Sequence, residues 1–486
     1  MMDELAKGRE LQRQGHLREA CEVYGRVLET DPDNVDALHL MGQVAVQVDD
    51  MANAEMFFRK ALQVDGQQFV VWLRLGDVYQ RTRQPEAALK CFESATGAAP
   101  ENAEGWRNLG FAHMVVGNME DAEAFLRKAC QLTPPAAQAF RQLANAFPLS
   151  QDDEVVTRAR EMLAKNDLDA FTEAQLHYAL AYVFEQANDD KKFLQHLHQA
   201  NQAQSQLWGE WKDNFLNNFN TIKSVFDANL LAKSLPETTK KPTPIFIVGL
   251  PRCGSTLVEQ ILSCHPDINA GDETQIMSTK VLNALPAITG KPFLAGVADL
   301  EQAQLETLSD LYRAALAALV PGQDYATDKS LGNYWVIGLI RLMFPHARVI
   351  HVKRDPLDHA FSIYRNCFLD YIPYSTNLSD LGEYYALYLD VMEFWQTLMP
   401  GFVHDLQYEA LIENQEDETR KLLSFCGVGF DKACLKPEAN KRAVMTLSQT
   451  QVRQPVTGKK GGEGKHFEAE LAGFADVLKA KGRLPA

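Results

Sequence analysis

The sequence predicts a two-part chain: an α-helical repeat stack, then an α/β domain built on a parallel sheet. Three observations predict it. A set of residues recurs every 34 positions through the first part of the chain. A short apolar run, Ile245 to Val248, leads through a glycine-containing loop into an apolar helix. A second strand-like segment, Ala347 to Val352, ends in Lys353-Arg354-Asp355-Pro356. Short apolar strands that alternate with helical segments call for a parallel sheet covered on both faces.

The chain has 486 residues, enough for two or three domains with their own cores. Hydrophobic residues make up 46% and charged residues 23%, which excludes a chain disordered throughout. The formal net charge of −16 argues against a general nucleic-acid binder, because a phosphate backbone repels such a surface. It leaves room for a local basic pocket. Met1 to Glu10 is charged and has no apolar core, so no signal peptide is expected. No uncharged apolar run approaches ~18 residues, so no membrane span is expected. The eight cysteines are scattered and none forms a C-x-x-C pair. They read as reduced thiols in a cytoplasmic setting, with no metal site.

The repeats come first. Trp72, Leu75, Gly76, Tyr79, Ala88, Phe92, Ala95 and Pro100 form one unit. Stepping back 34 residues gives Leu38, Met41, Gly42, Ala45, Ala54, Phe58 and Ala61. A further step back gives Gly8, Leu11, Ala20, Tyr24, Val27 and Pro32, and a step forward gives Trp106, Leu109, Gly110, Ala122, Leu126, Ala129 and Pro134. This resembles the tetratricopeptide (TPR) pattern at its signature positions. The glycines and the alanines mark where the two helices of a repeat approach closely, and the prolines stop the second helix. Such units bury their apolar faces only by stacking. Leu180, Ala181, Phe184, Leu197 and Ala200 fit a degenerate final repeat, which closes a repeat domain over 1–205.

A connector and linker are expected over 206–243. Trp208, Trp211, Phe215, Phe219 and Phe226 read as helices whose aromatic rings form a seam between the two domains and not a ligand box. The run Pro236 to Pro244, with three prolines, breaks the helical pattern. The second domain then runs over 244–486.

That domain opens with Ile245-Phe246-Ile247-Val248, Gly249-Leu250-Pro251-Arg252-Cys253-Gly254-Ser255-Thr256, and the apolar run Leu257 to Leu262. Strand, glycine loop and helix make an anion-binding device, because backbone N–H groups and a helix N-terminus point at the same place. The loop is close to a Walker A motif, but Ser255 stands where the lysine of a P-loop NTPase acts on the β- and γ-phosphates. The cation sits instead at Arg252. In the second motif Arg354 ends a strand, and Ser362 follows it by eight residues on the first turns of a helix. An arginine and a serine so spaced can converge on one phosphate.

Pro251 to Leu257 resembles the 5′-phosphosulfate loop of sulfotransferases that use 3′-phosphoadenosine 5′-phosphosulfate. Arg354 and Ser362 are similar to that family's 3′-phosphate pair. Asp328-Lys329 resembles its acid–lysine pair before a helix, here Gly332 to Phe344. Tyr408-Glu409 resembles its tyrosine–acid pair in a strand-to-helix turn. Ser448 to Pro455, with Gly464-Lys465-His466, resembles its C-terminal loop. The resemblance covers about residues 244 to 475 and is nearest to the branch of tyrosylprotein sulfotransferases and their bacterial TPR-linked relatives.

The resemblance implies a P-loop-like α/β fold and the donor 3′-phosphoadenosine 5′-phosphosulfate, which leaves as adenosine 3′,5′-bisphosphate, without a metal. It implies donor-binding roles for Arg252, Cys253, Gly254, Ser255, Thr256, Arg354, Ser362, Tyr408, Ser448 and Lys465. The branch has a carboxylate base in a Gly-Glu-Glu-Thr stretch, and Gly271-Asp272-Glu273-Thr274 stands in its place. Asp272 therefore takes the base position, with Glu273 as fallback, and Lys329 and Arg252 become the stabilisers of developing charge. The plain alternative is that both carboxylates sit in the first turn of a helix and favour its dipole. His265 is a weaker base candidate, and His351 and His359 read as structural. Where the branch carries a disulfide, this chain has Ala270 and Thr327. The TPR stack implies a protein or peptide acceptor. Two other functions compete: a P-loop kinase or NTPase, which the missing lysine opposes, and an interaction scaffold with an inactive nucleotide-binding domain.

Overall fold

The structure is a computed structural model that describes residues 2–165, 167–236, 240–440 and 462–485. It forms two compact units, Met1–Leu207 and Trp208–Ala486.

The first unit is a solenoid of helix pairs: Met2–Arg13 with Leu17–Thr30, Val35–Gln47 with Met51–Val64, Phe69–Arg81 with Pro85–Ala98, and Ala103–Val116 with Met119–Gln131. Four more helices, Ala137–Ala146, Glu154–Leu163, Ala170–Gln186 and Asp190–Ser205, continue it past the end of the strict sequence register, with Ala137–Ala146 packed on Ala170–Gln186 and the latter on Asp190–Ser205. The repeat glycines have a specific partner. A Cβ on Gly8, Gly42 or Gly76 would lie within 2.4 Å of the ring of Tyr24, Phe58 or Phe92 on the paired helix. The alanines one turn earlier on that helix, Ala20, Ala54 and Ala88, are fully buried. These three pairs thus close on a ring that only glycine can face, and in the fourth Gly110 faces the Leu126 side chain instead. The signature tryptophans add a polar tie: Trp72 Nε1 donates to the Gly66 carbonyl at 2.8 Å, and Trp106 Nε1 to the Pro100 carbonyl at 2.7 Å.

The second unit carries five parallel strands, β1 (Thr243–Val248), β2 (Ile268–Asn269), β3 (Tyr325–Asp328), β4 (Arg348–Lys353) and β5 (Val403–Gln407), in the order β2-β3-β1-β4-β5. The central strand β1 is buried on both faces, which explains its unbroken apolar run. Ile245 and Ile247 pack with Val258, Ile261, Ile350 and Val352. On the opposite face Phe246 meets Tyr312 and Phe344 with ring centroids 5.6 and 6.3 Å away. The segment after Lys329 begins as a 3₁₀ stretch, Leu331–Val336, and becomes an α-helix only over Ile337–Met343.

The helices Lys212–Val225 and Ala228–Leu231, read from the sequence as a connector, belong to this second unit. Their aromatic residues do form a seam, but it lies within this unit and not, as the sequence suggests, between two domains. Trp211 and Phe215 pack on Tyr384, Phe219 on Phe394 and Phe226 on Trp395, with centroids 5.0 to 6.4 Å apart. Gly338 makes room for this: a Cβ there would lie 2.5 Å from the Phe226 ring. Among the described residues no helix is long and apolar enough to cross a membrane.

Phe226 is 3% exposed, so Phe226→Ala should destabilise the second unit by ~3–5 kcal/mol in urea unfolding followed by tryptophan fluorescence. Leu216, half exposed on the neighbouring helix, should cost no more than ~0.5 kcal/mol as alanine. Equal losses would mean that Phe226 is not an anchor of the seam.

Candidate active site

All five strands deliver functional candidates at their carboxyl ends, the edge at which open parallel sheets bind ligands. Gly249–Gly254 follows β1, Gly271–Thr274 follows β2, Lys329 follows β3, Arg354 follows β4 and Tyr408 follows β5.

The loop after β1 runs into the helix Ser255–Leu262. Arg252 has φ 69° and Gly254 φ 101°, both left-handed. At Gly254 glycine is required twice, because a Cβ would also lie 2.3 Å from the Tyr408 ring. Two loop carbonyls are held from β4 and the helix after it. Arg354 Nη1 donates to the Arg252 carbonyl at 3.0 Å, and His359 Nε2 to the Pro251 carbonyl at 2.9 Å. The second bond fixes the His359 tautomer: Nε2 carries the proton and Nδ1 accepts from the Tyr385 hydroxyl at 3.3 Å. Burial pushes the His359 pKa down to about 3, so the ring is neutral at physiological pH. With carbonyl oxygens turned toward these donors, the N-terminus of the helix remains as the loop's anion-facing end.

Arg354 has a second role. Its guanidinium lies 5.3 Å from the centre of the Tyr408 ring, and its Nε is buried without a hydrogen-bond partner. A buried cationic donor left over in this way fits an anionic ligand. Glu409 Oε1 accepts from the Asp355 amide at 2.9 Å, which joins the tyrosine–acid turn to the arginine segment. Ser362 is buried on the helix Pro356–Tyr364 that the arginine segment leads into.

The acid–base candidates form the other side of the site. Lys329 is fully buried and donates to Glu273 Oε1 at 2.9 Å. Burial alone would lower its pKa, but the carboxylates of Glu259, Glu273 and Asp272 outweigh it and raise the value, so Lys329 is an ammonium. The Glu273 side chain is half exposed, whereas Asp272 is buried at φ 56°. Neither lies in the first turn of a helix: they occupy the loop before a π-helical stretch, Met277–Leu282, so the dipole alternative does not apply.

The structure therefore brings Arg252, Gly254, Ser255, Thr256, Arg354 and Tyr408 to one region, and Asp272, Glu273 and Lys329 to another at the same sheet edge. Cys253 differs from its neighbours: its side chain packs in the apolar core beneath the loop, so it offers a ligand only its backbone. Lys465 is exposed on the short helix Glu463–His466, beside Gly462 and Gly464, whose amides donate to Asp358 at 2.7 and 2.6 Å. Ser448 lies outside the described residues. His265 is spent on backbone, with Nε2 donating to the Gly429 carbonyl at 3.0 Å and Nδ1 accepting from the Asp267 amide at 3.2 Å. His351 is held between Asp405, at 2.7 Å, and the Tyr388 hydroxyl. Sequence reading missed Glu259; its signal was a carboxylate inside an apolar helix. Among the described residues no group of three or more His, Cys, Asp or Glu side chains is placed to hold a metal ion.

Residues 244–432 match the sulfotransferase family, and residues 2–206 match the C-terminal domain of cilia and flagella-associated protein 70. The chain is 26% identical over 373 residues to an uncharacterized protein of Aquifex aeolicus, covering 75% of this chain and 48% of that one. It is 27% identical over 254 residues to protein-tyrosine sulfotransferase 1 of Danio rerio, covering 46% of this chain and 66% of that one. It thus spans about half of the first relative and just under two thirds of the second. Among solved structures, the crystal structure of MamA is similar at 18% identity with a TM-score of 0.28, covering 38% of this chain and 96% of MamA.

Burial pushes the Cys253 thiol pKa up, against the opposing pull of Ser255, Lys329 and Arg354. Iodoacetamide should therefore label the partly exposed Cys21 and Cys264 in the folded protein and reach Cys253 only after unfolding, as read by peptide mass mapping. Labelling of Cys253 at the rate of Cys264 would show that the loop opens in the native state.

Proposed function

We propose, from the premise that this chain joins a sulfotransferase-family domain to a TPR-like region, that it moves a sulfonate group from 3′-phosphoadenosine 5′-phosphosulfate to an acceptor hydroxyl. The observation that carries the reading is the tie between the two anion motifs: Arg354 keeps one donor on the Arg252 carbonyl and leaves Nε buried and unpartnered. A nucleotide phosphorylated at both its 5′ and 3′ positions needs two such sites in fixed relation.

The residues divide the work as follows. Arg252, Gly254, Ser255 and Thr256 hold the 5′ end through the loop and the helix N-terminus. Arg354 and Ser362 hold the 3′-phosphate, and Tyr408 packs beside them. Asp272 takes the proton of the acceptor hydroxyl as its oxygen forms the new bond to sulfur. The bond from sulfur to the 5′-phosphate oxygen breaks, and adenosine 3′,5′-bisphosphate leaves with that electron pair. Lys329, held protonated, and Arg252 stabilise the charge that builds on the bridging oxygen and the sulfonate. Glu273 pairs with Lys329 and keeps its ammonium in place. Transfer of this kind depends on positioning and electrostatics, as phosphoryl transfer does.

The acceptor class in this proposal is a protein or peptide hydroxyl, tyrosine included, held by the repeats. Two things support it: the similarity to protein-tyrosine sulfotransferase 1, and a repeat stack that donor chemistry does not need. A cytoplasmic setting belongs to the same reading, with Thr327 and Ala270 standing where the resembling branch has a disulfide.

Arg354→Ala should weaken adenosine 3′,5′-bisphosphate about 10- to 100-fold in calorimetry, the effect of losing ~1.5–3 kcal/mol of charge-assisted contact. Binding of the analogue without the 3′-phosphate should barely change. Equal losses would show that the 3′ site is misassigned.

Asp272→Asn should cut turnover by ~10²–10⁴ with donor affinity kept, and Glu273→Gln should do much less. The reverse order would move the base by one residue. Turnover should survive a chelator; loss that magnesium restores would favour an NTPase-type reaction.

A further inference from the structure

We propose that Glu259 is a positioning residue for this site: its carboxylate holds the Gly271–Asp272 turn against β3 and the phosphate-loop helix, so that Asp272 and Lys329 are presented together. This deepens the sulfotransferase reading and rests on it.

The helix Ser255–Leu262 is otherwise apolar where it faces the sheet, yet Glu259 on it is fully buried. A buried carboxylate is costly and persists where it is paired and hydrogen-bonded. Glu259 Oε1 accepts from the Thr327 hydroxyl at 2.6 Å and from the Asp272 amide at 2.9 Å. The Thr327 oxygen in turn accepts from the Gly271 amide at 2.9 Å. Two consecutive amides of the turn are therefore fixed by one carboxylate and one hydroxyl. The Asp272 carbonyl completes the frame by accepting from the Lys329 amide at 2.8 Å. Gly271 lets the turn sit this close, because a Cβ there would lie 1.9 Å from the Thr327 carbonyl oxygen.

Asp272 needs that support. Its left-handed backbone is an unfavourable choice for a residue with a Cβ, and it persists only where neighbours over-determine it. Holding its amide from one side and its carbonyl from the other does so. The frame also ties the turn to the helix that begins at the phosphate loop, so the base and the anion site share one rigid element.

Charge adds a second role. The groups that face Lys329 are Glu259 from the helix, Asp272 and Glu273 from the loop after β2, and the Cys253 thiol from the phosphate loop. Glu273 is half exposed and so is screened by solvent. Glu259 is fully buried, where its charge on Lys329 is screened far less.

The test uses the full chain and two pairs of variants. Glu259→Gln keeps the shape and one acceptor oxygen but removes the charge. Lys329 should then lose its proton at lower pH, by about one pH unit in ¹⁵N NMR titration of its Nζ in protein without nucleotide, the signal being assigned by its loss in Lys329→Arg. Turnover should fall about 10- to 100-fold, its alkaline limb should move down with the lysine, and adenosine 3′,5′-bisphosphate should bind within about threefold of the parent. Thr327→Val, which removes the bridging hydroxyl, should lower turnover with donor affinity kept, and Thr327→Ser should restore it. An unchanged Lys329 titration in Glu259→Gln, a parent-like rate in Thr327→Val, or equal loss of nucleotide binding and turnover would each overturn the proposal. The lysine titration needs no turnover, so failure of the sulfotransferase reading alone would leave it intact and would show instead as a parent protein that transfers no sulfonate.

Discussion

Two carbonyl oxygens decide whether the loop after β1 can receive an anion. A tight loop presents amides and carbonyls in nearly equal number, and an anion is repelled by the second kind. In this chain the carbonyls of Pro251 and Arg252 are hydrogen-bonded by His359 and Arg354. Those residues come from the strand and helix about 100 positions later. The loop therefore acquires its polarity only when β1 and β4 pair, and β4 pairs only where Ile245 to Val248 meet Arg348 to His351 in register. Tyr408, delivered by β5, fills the space that Gly254 leaves open. The polarity of the loop is thus a property of the assembled sheet edge and not of the loop sequence alone.

The same edge shows how a chain of net charge −16 gathers cationic side chains locally. Arg354 is held by the Arg252 carbonyl and Lys329 by Glu273, and Lys329 is taken entirely out of solvent. The field of the distant surface acidic residues is screened by water and salt over about 10 Å, while the local cations act at contact distance. Net charge consequently says little about such a site, and the identity of a few buried groups says a great deal.

Much of this was legible from the sequence because some signals are local. Repeats spaced by 34 residues, a strand–loop–helix with glycines, and an arginine at a strand end need no tertiary knowledge to be recognised. The parts that escaped depend on contacts between distant segments. Glu259 looks like one charged residue on a short helix, and only its proximity to Thr327 and Asp272 gives it meaning. His359 read as structural, and it is, but the structure it maintains is that of the phosphate loop. Cys253 read as a ligand contact together with the rest of its loop, yet its side chain turns back onto Gly249, where a Cβ would lie 3.0 Å from its Sγ. The glycines of the repeats read as close helix contacts, and the side chain each one faces, a ring for Gly8, Gly42 and Gly76 and Leu126 for Gly110, appears only with the helices in place.

The aromatic seam between Trp211 to Phe226 and the sheet domain bears on how the two units came to share a chain. Those helices are half of an apolar interface whose other half is Tyr384, Phe394 and Trp395. A genetic exchange that joined a new repeat array at the prolines before β1 would strip that interface and expose its rings. One that cut before Trp208 would carry the rings with their partners. Evolution could then lengthen, shorten or replace the repeat array upstream of that point, provided that the helices from Lys212 to Leu231 were inherited with the sheet they cover.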